Sequence, residues 1–194
     1  MYKIDEIIEA LLYFAGLQDI TTKIVKACYL LESEYFDKTG QRLTDVEYKH
    51  HYYGPYSEAI ISSMKNDKNI AYSPQKSIEG NDYGLFKLKK TSVISKIDPL
   101  TLSFIEKWAK IMQQKTLEEI LELAYSDKNF KKTEKGKVIN FDSGFLKKKE
   151  FLKKRVMGKF GTYKLTEEEI EGLNKAVNED LIGYSRKLLK DSDR

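Results

Sequence analysis

Within the first forty residues, apolar side chains recur every three or four positions in two successive stretches, a pattern that calls for two helices sharing a buried face. Ile4, Ile7, Ile8, Leu11, Leu12 and Ala15 mark the first, over residues 3–16, with Gly16 placed to end it. Ile24, Val25, Cys28, Leu31, Tyr35 and Phe36 mark the second, which is expected to begin at once. Thr21 or Thr22 can accept a backbone N–H at its start, and Gly40 is placed to close it. Two antiparallel helices joined by a few residues is the economical expectation.

The period then changes. In RLTDVEYKHHYYGPYSEAI, Val46, Tyr48, His50 and Tyr52 fall on one parity and Glu47, Lys49, His51 and Tyr53 on the other, which predicts a short aromatic strand. Gly54 and Pro55 are expected to stop it, since proline brings no N–H to a ladder. Tyr56 and Ser57 lead into a helix carrying Ile60, Ile61 and Met64, with Ser57 at the N-cap. Residues 70–90 hold two short runs separated by Glu-Gly-Asn-Asp and predict a β-hairpin. Asp98-Pro99 starts a helix whose buried face is Leu102, Ile105, Trp108, Ala109 and Met112. Thr116 and Glu119 make a capping box for another helix through about Tyr125, and KTEKGKVINF reads as a turn and strand.

Charge separates the last fifty residues from the rest. Residues 1–146 hold 21 basic and 21 acidic side chains, residues 147–164 eight and one, and residues 165–194 five and eight. All of the excess positive charge therefore sits in KKKEFLKKRVMGKFGTYK, where Lys147, Lys148, Lys149, Lys153, Lys154 and Arg155 interleave with Phe145, Leu146, Phe151 and Leu152. Such a run is either a solvated helix face or a helix that lays an apolar edge on a partner and offers its charges to an acidic surface. Thr166 and Glu169 form a second capping box, and Ile170, Leu173, Val177, Leu181, Tyr184 and Leu188 run as an apolar stripe over several turns. The expected organisation is a domain at 1–145 and an appended segment at 146–194. That segment packs on the domain or on a partner.

Several functional classes find no support in the residues. Asp5, Glu6 and Glu9 interrupt the N-terminal apolar stretch, which argues against a signal peptide, and no run approaches the 18 or so apolar residues of a membrane span. Cys28, the one cysteine, has no partner for an internal disulfide, which fits a cytoplasmic setting. His50 and His51 are adjacent, so on a strand they point to opposite faces and cannot share a metal ion. One is expected to pack inside and the other to lie at the surface. Cys28, on an apolar helix face, reads as a core residue. No nucleotide loop, metal-ligand cluster or nucleophile elbow is present, and neither catalytic residues nor cofactors are expected.

The turn Tyr52, Tyr53, Gly54, Pro55 and Tyr56 stands apart. Tyrosines there either pack as ordinary strand residues or make rigid contact area at low entropic cost, as protein-binding surfaces do.

KIVKACYLLESEYFDKTGQRLTDVEYKHHYYGPYSEAI resembles the Panacea domain, also called the SocA-like antitoxin domain. The resemblance is carried by Tyr29-Leu30-Leu31, by Gly40 and Leu43 in the spacer, by the aromatic strand, and by Tyr53-Gly54-Pro55-Tyr56 opening a helix. TLEEILELAYSDKNFKKTEKGKVINF is similar to the family's second half, with Leu117, Leu121 and Tyr125 before a polar loop and Gly136 before a short strand. The likeness spans roughly residues 3–141. Where the family often has a tryptophan before that last glycine, this chain has Asn129-Phe130, and residues 146–194 have no counterpart. A separate family of small proteins with a similar helix, strand and GPYS corner is a competing match.

The resemblance implies an α+β domain, predominantly helical, that neutralises a toxin by direct binding or delivers it to a protease, and that is not an enzyme. The expected partner is then a toxin protein or a protease, and the candidate contact residues are Tyr52, Tyr53, Gly54, Pro55, Tyr56, Lys153, Lys154 and Arg155. A homodimer through the Ile170–Leu188 stripe is equally compatible with the periodicity. The alternative is a winged-helix-like DNA-binding regulator, with Lys87, Lys89 and Lys90 on the hairpin as a wing and Lys147 to Arg155 on phosphates.

Overall fold

The stripe on α1 (Ile4–Phe14) is buried as its spacing requires, with Ile7, Ile8, Leu11 and Leu12 all in the core. The computed structural model describes residues 1–77, 80 and 82–141. After α1 come β1 (Gln18–Ile20), α2 (Thr21–Thr39), β2 (Lys49–His51), β3 (Gly54–Tyr56), α3 (Glu58–Asn66), β4 (Ile70–Lys76) and β5 (Asp82–Leu88), then α4 (Pro99–Gln114), α5 (Leu117–Ser126) and α6 (Lys128–Lys132). The architecture is α+β and predominantly helical, as expected. Tyr29, Tyr48, Phe86 and Phe104 are the largest fully buried side chains, one each from α2, the loop before β2, β5 and α4.

Two small sheets interrupt the helices. The expected hairpin forms β4 and β5, paired from Ile70–Leu88 to Lys76–Asp82, although its Glu-Gly-Asn-Asp connection lies partly outside the described residues. β1 adds to the other edge of β5 and gives the strand order β1-β5-β4. Among the described residues β4 is thus an edge strand, where Pro74 is tolerated because no further strand there needs its N–H.

β1 corrects the expectation that one helix follows the other at once. Gln-Asp-Ile alone shows no period, and only the exposed edge of β5 makes it a strand. α1 packs chiefly on α4 and α3 rather than forming a hairpin with α2. The expected threonine cap is corrected too. Ile20 occupies the N-cap, and Thr21 donates its hydroxyl to the carbonyl oxygen of Gly84 at 3.0 Å instead. A Cβ at Gly84 would lie 2.5 Å from Thr21 Oγ1 and 2.7 Å from Tyr72 Cε2, so only glycine allows α2 to approach β5 there.

The caps of α4 and α5 agree with expectation: Asp98 accepts from the Thr101 N–H at 3.0 Å, and Thr116 and Glu119 close a capping box. Ser57 does precede α3, but its side chain makes no capping bond. α6 had no counterpart in the expected order; Asp127 starts it by accepting from the N–H groups of Asn129 and Phe130 at 2.9 and 3.1 Å. The expected strand after it reduces to one bridge between Val138 and Lys49. The division at residue 146, the basic helix, the second capping box and the Ile170–Leu188 stripe lie outside the described residues.

Candidate functional site

Gly54 and Pro55 do not stop a strand; they begin one. The predicted strand from Val46 to Tyr53 is only Lys49–His51, and β3 returns antiparallel to it with His51 opposite Gly54 and His50 opposite Pro55. Tyr52 and Tyr53 are left as a two-residue turn, a tight connection that a positive φ assists, and Gly54 has φ +88°. Pro55 is tolerated because its partner bonds elsewhere. The His50 N–H donates to the Lys137 carbonyl at 2.9 Å and the His50 carbonyl accepts from Gly136 at 2.7 Å, so this pair exchanges no hydrogen bonds and a missing N–H costs nothing.

The outward carbonyl of Pro55 meets α2. Lys26, only 3% exposed, donates from Nζ to it at 2.7 Å. Burial draws the Lys26 ammonium down to about 8. Beside it, Tyr125 of α5 donates its hydroxyl to the Tyr52 carbonyl at 3.4 Å. A Cβ on Gly54 would come within 3.3 Å of Lys26 Cε and 3.5 Å of Tyr125 Cε1, so the corner is seated against both side chains.

The tyrosines point away from this seat. Tyr52 and Tyr53 are 67% and 66% exposed and meet edge to face with ring centroids 5.0 Å apart. Tyr56 is half-buried, and its hydroxyl donates to Glu58, which together with partial burial pushes that hydroxyl above its usual range. Gly54 and Pro55 are buried, so of the five predicted residues they position and the tyrosines present. The histidines divide as expected. His50 packs its ring on Phe130 at 3.9 Å and bonds the Thr133 carbonyl through Nδ1 at 2.6 Å, whereas His51 is exposed against Tyr53 and Tyr56.

Two further carboxylates hold the surroundings in place. Asp127 accepts from Ser33 Oγ at 2.9 Å and from the Tyr29 hydroxyl, joining the α5–α6 junction to α2. Burial and this bond raise the Tyr29 hydroxyl. Glu32, buried, accepts from Arg42 Nε at 2.6 Å, from the N–H groups of Leu43 and Thr44 at 2.9 and 3.1 Å, and from Thr44 Oγ1 at 2.8 Å. It pins the loop that delivers β2. Cys28 lies under these groups, and burial pushes its thiol up to about 12, which suits a core residue.

Sequence reasoning missed a basic rim. Lys49, Lys135 and Lys137 are all exposed on or beside the strand that leads into the turn, and the Lys135 ammonium lies 4.6 Å from the centroid of Tyr52. The signal was present in KNFKKTEKGK, hidden by an even charge count over the whole body. Among the described residues, no group of three or more His, Cys, Asp or Glu side chains could hold a metal ion, and no helix is long and apolar enough to cross a membrane. Lys153, Lys154 and Arg155 lie outside the described residues.

A helical α+β domain that presents exposed tyrosines on a braced turn is the class of protein defined so far. The family profile of the antitoxin SocA-like, Panacea domain matches residues 24–129, from the first turn of α2 into α6, and the chain belongs to that family. At the level of the family this means an antitoxin-like role and a toxin as partner in general. Searches of curated proteins and of solved structures return no match.

Proposed function

We propose that this chain neutralises a protein toxin by binding it directly, through the turn at Tyr52 and Tyr53, the adjoining Tyr56, and the lysines around them. The observation that carries the reading is the exposure of two adjacent tyrosines on a turn whose backbone is anchored from behind by Lys26 and Tyr125. Side chains of this type on a rigid support dominate binding energy, because little conformational freedom remains to be lost on association. The lysine rim favours a partner with an acidic surface. Residues 146–194, with Lys153, Lys154 and Arg155, form a second contact region on the strength of sequence alone, and delivery of the toxin to a protease is the variant of the same reading.

The test starts from affinity capture in nuclease-treated extract and moves to the captured protein itself. A partner that arrests growth when expressed alone and is silenced by co-expression of this chain supports the reading. Tyr52→Ala with Tyr53→Ala should then weaken binding at least about tenfold, as loss of a central aromatic pair does. Lys135→Glu with Lys137→Glu should slow association and flatten its salt dependence. Full neutralisation by both double variants would overturn the assignment of this surface. Recovery of DNA fragments in place of a protein, once nuclease is left out, would transfer the surface to nucleic acid.

A further inference from the structure

At the C-terminal end of α3, away from the tyrosine turn, three oxygen atoms are buried with no hydrogen-bond partner among the described residues: Glu9 Oε2, Asp67 Oδ2 and Asn69 Oδ1. Asn69 links the other two residues. Asn69 Nδ2 donates to Glu9 Oε1 at 2.9 Å, and the Asn69 N–H donates to Asp67 Oδ1 at 2.8 Å. Each unpartnered oxygen therefore shares a carbon with an atom bonded inside this trio. Glu9 arrives from a separate element, the middle of α1, and at 4% exposure its second oxygen is shut off from bulk water.

Buried acceptors nearly always have a donor, and a buried carboxylate without a compensating charge is strongly disfavoured. No lysine or arginine forms an ion pair with Glu9 or Asp67 among the described residues. The Lys89 ammonium beside the turn bonds the Lys68 carbonyl at 3.2 Å instead. A water molecule donates to two acceptors and leaves both charges standing. A cation satisfies all three oxygens at once. Two carboxylates and one amide oxygen, two of them two residues apart on one turn, make an oxygen-only set of the kind that hard, geometrically tolerant cations take.

We propose that Glu9, Asp67 and Asn69 bind a hard divalent cation of the calcium class, which ties α1 to the turn between α3 and β4. The ion adds to the Glu9–Asn69 hydrogen bond that already ties α1 to this turn. It also holds the far end of the helix that leaves the tyrosine corner. The proposal is independent of the toxin-binding reading.

The test uses the full chain, stripped with a chelator and exchanged into chelator-free buffer, and titrates CaCl2 and separately MgCl2 against thermal unfolding and heat of binding. Calcium should raise the melting temperature saturably by about 3 °C or more by mass action, with KCl at equal ionic strength giving no gain. Glu9→Gln and Asp67→Asn should each weaken calcium at least about tenfold, whereas Glu118→Gln on an exposed face of α5 should keep the full response. Asn69→Asp retains the oxygen, adds a charge and should bind more tightly, which keeps the proposal testable if a removal variant fails to fold. No response of the wild-type chain to either cation overturns it. So does an equal response in Glu9→Gln, which would mark an adventitious ion only. Wild-type stability of Glu9→Gln with no calcium response would show that a proton completes the trio, and also overturns it.

Discussion

Lys26 Nζ and the carbonyl oxygen of Pro55 lie 2.7 Å apart, so the ammonium of a buried lysine on α2 is what holds the tyrosine turn against the domain. The arrangement joins two properties that usually conflict. A buried ammonium with a neutral acceptor is expensive in its charged form, yet it gives the turn a fixed floor.

The first prediction concerns pH. Lys26 titrates near 8 in the folded chain and near 10.5 when unfolded, because burial disfavours its charged form. Between these values the unfolded chain binds the extra proton, so stability rises with pH. Burial also raises the hydroxyls of Tyr29 and Tyr48, which act only above the usual tyrosine range, and the Cys28 thiol, pushed up to about 12, which takes stability away from about pH 9 upward and so opposes Lys26. In a Cys28→Ala background, urea unfolding should show a gain of about 1–2 kcal/mol between about pH 8 and 10, and adding K26M should abolish the rise.

Gly54→Ala should destabilise more than Gly136→Ala. Both glycines have positive φ, +88° and +81°, so each substitution carries about 1–2 kcal/mol of backbone strain. At Gly54 the new methyl also presses on Lys26 and Tyr125, whereas at Gly136 nothing lies within 4 Å. Equal unfolding midpoints for the two variants would contradict this account of the corner.

Asp127→Ala removes a helix cap and two side-chain bonds in one step. The lost partners are the N–H groups that open α6, the Tyr29 hydroxyl and Ser33. A loss of about 2–4 kcal/mol is expected in chemical denaturation, the sum of a cap and buried groups left unsatisfied.

Tyr52→Ala and Tyr53→Ala should each leave the unfolding free energy within about 0.5 kcal/mol of wild type, because both rings are mostly in solvent. A destabilisation of several times that size would show that the rings support the fold rather than present a surface.

Much of the fold was legible in residue order because it is local. The stripes on α1 and α2, the Asp98 and Thr116 caps, and the β4–β5 hairpin each depend on side chains a few positions apart, where period and backbone chemistry speak directly. Opposite parity likewise put His50 and His51 on different faces, and packing decided which of them turned inward. β1, the threonine on Gly84 and the true role of Gly54 and Pro55 were not legible, since each depends on a partner far along the chain. Gln18–Ile20 becomes a strand only because β5 offers an edge, and Pro55 is admitted to one only because His50 bonds the loop at 136–137. The same holds for the site. Tyrosine content marked the turn, but Lys26, Tyr125 and the lysine rim come from three other segments, and which tyrosines face water was decided by packing. Local spacing determines which elements can form; burial and long-range hydrogen bonding decide which of their side chains remain free to meet another molecule.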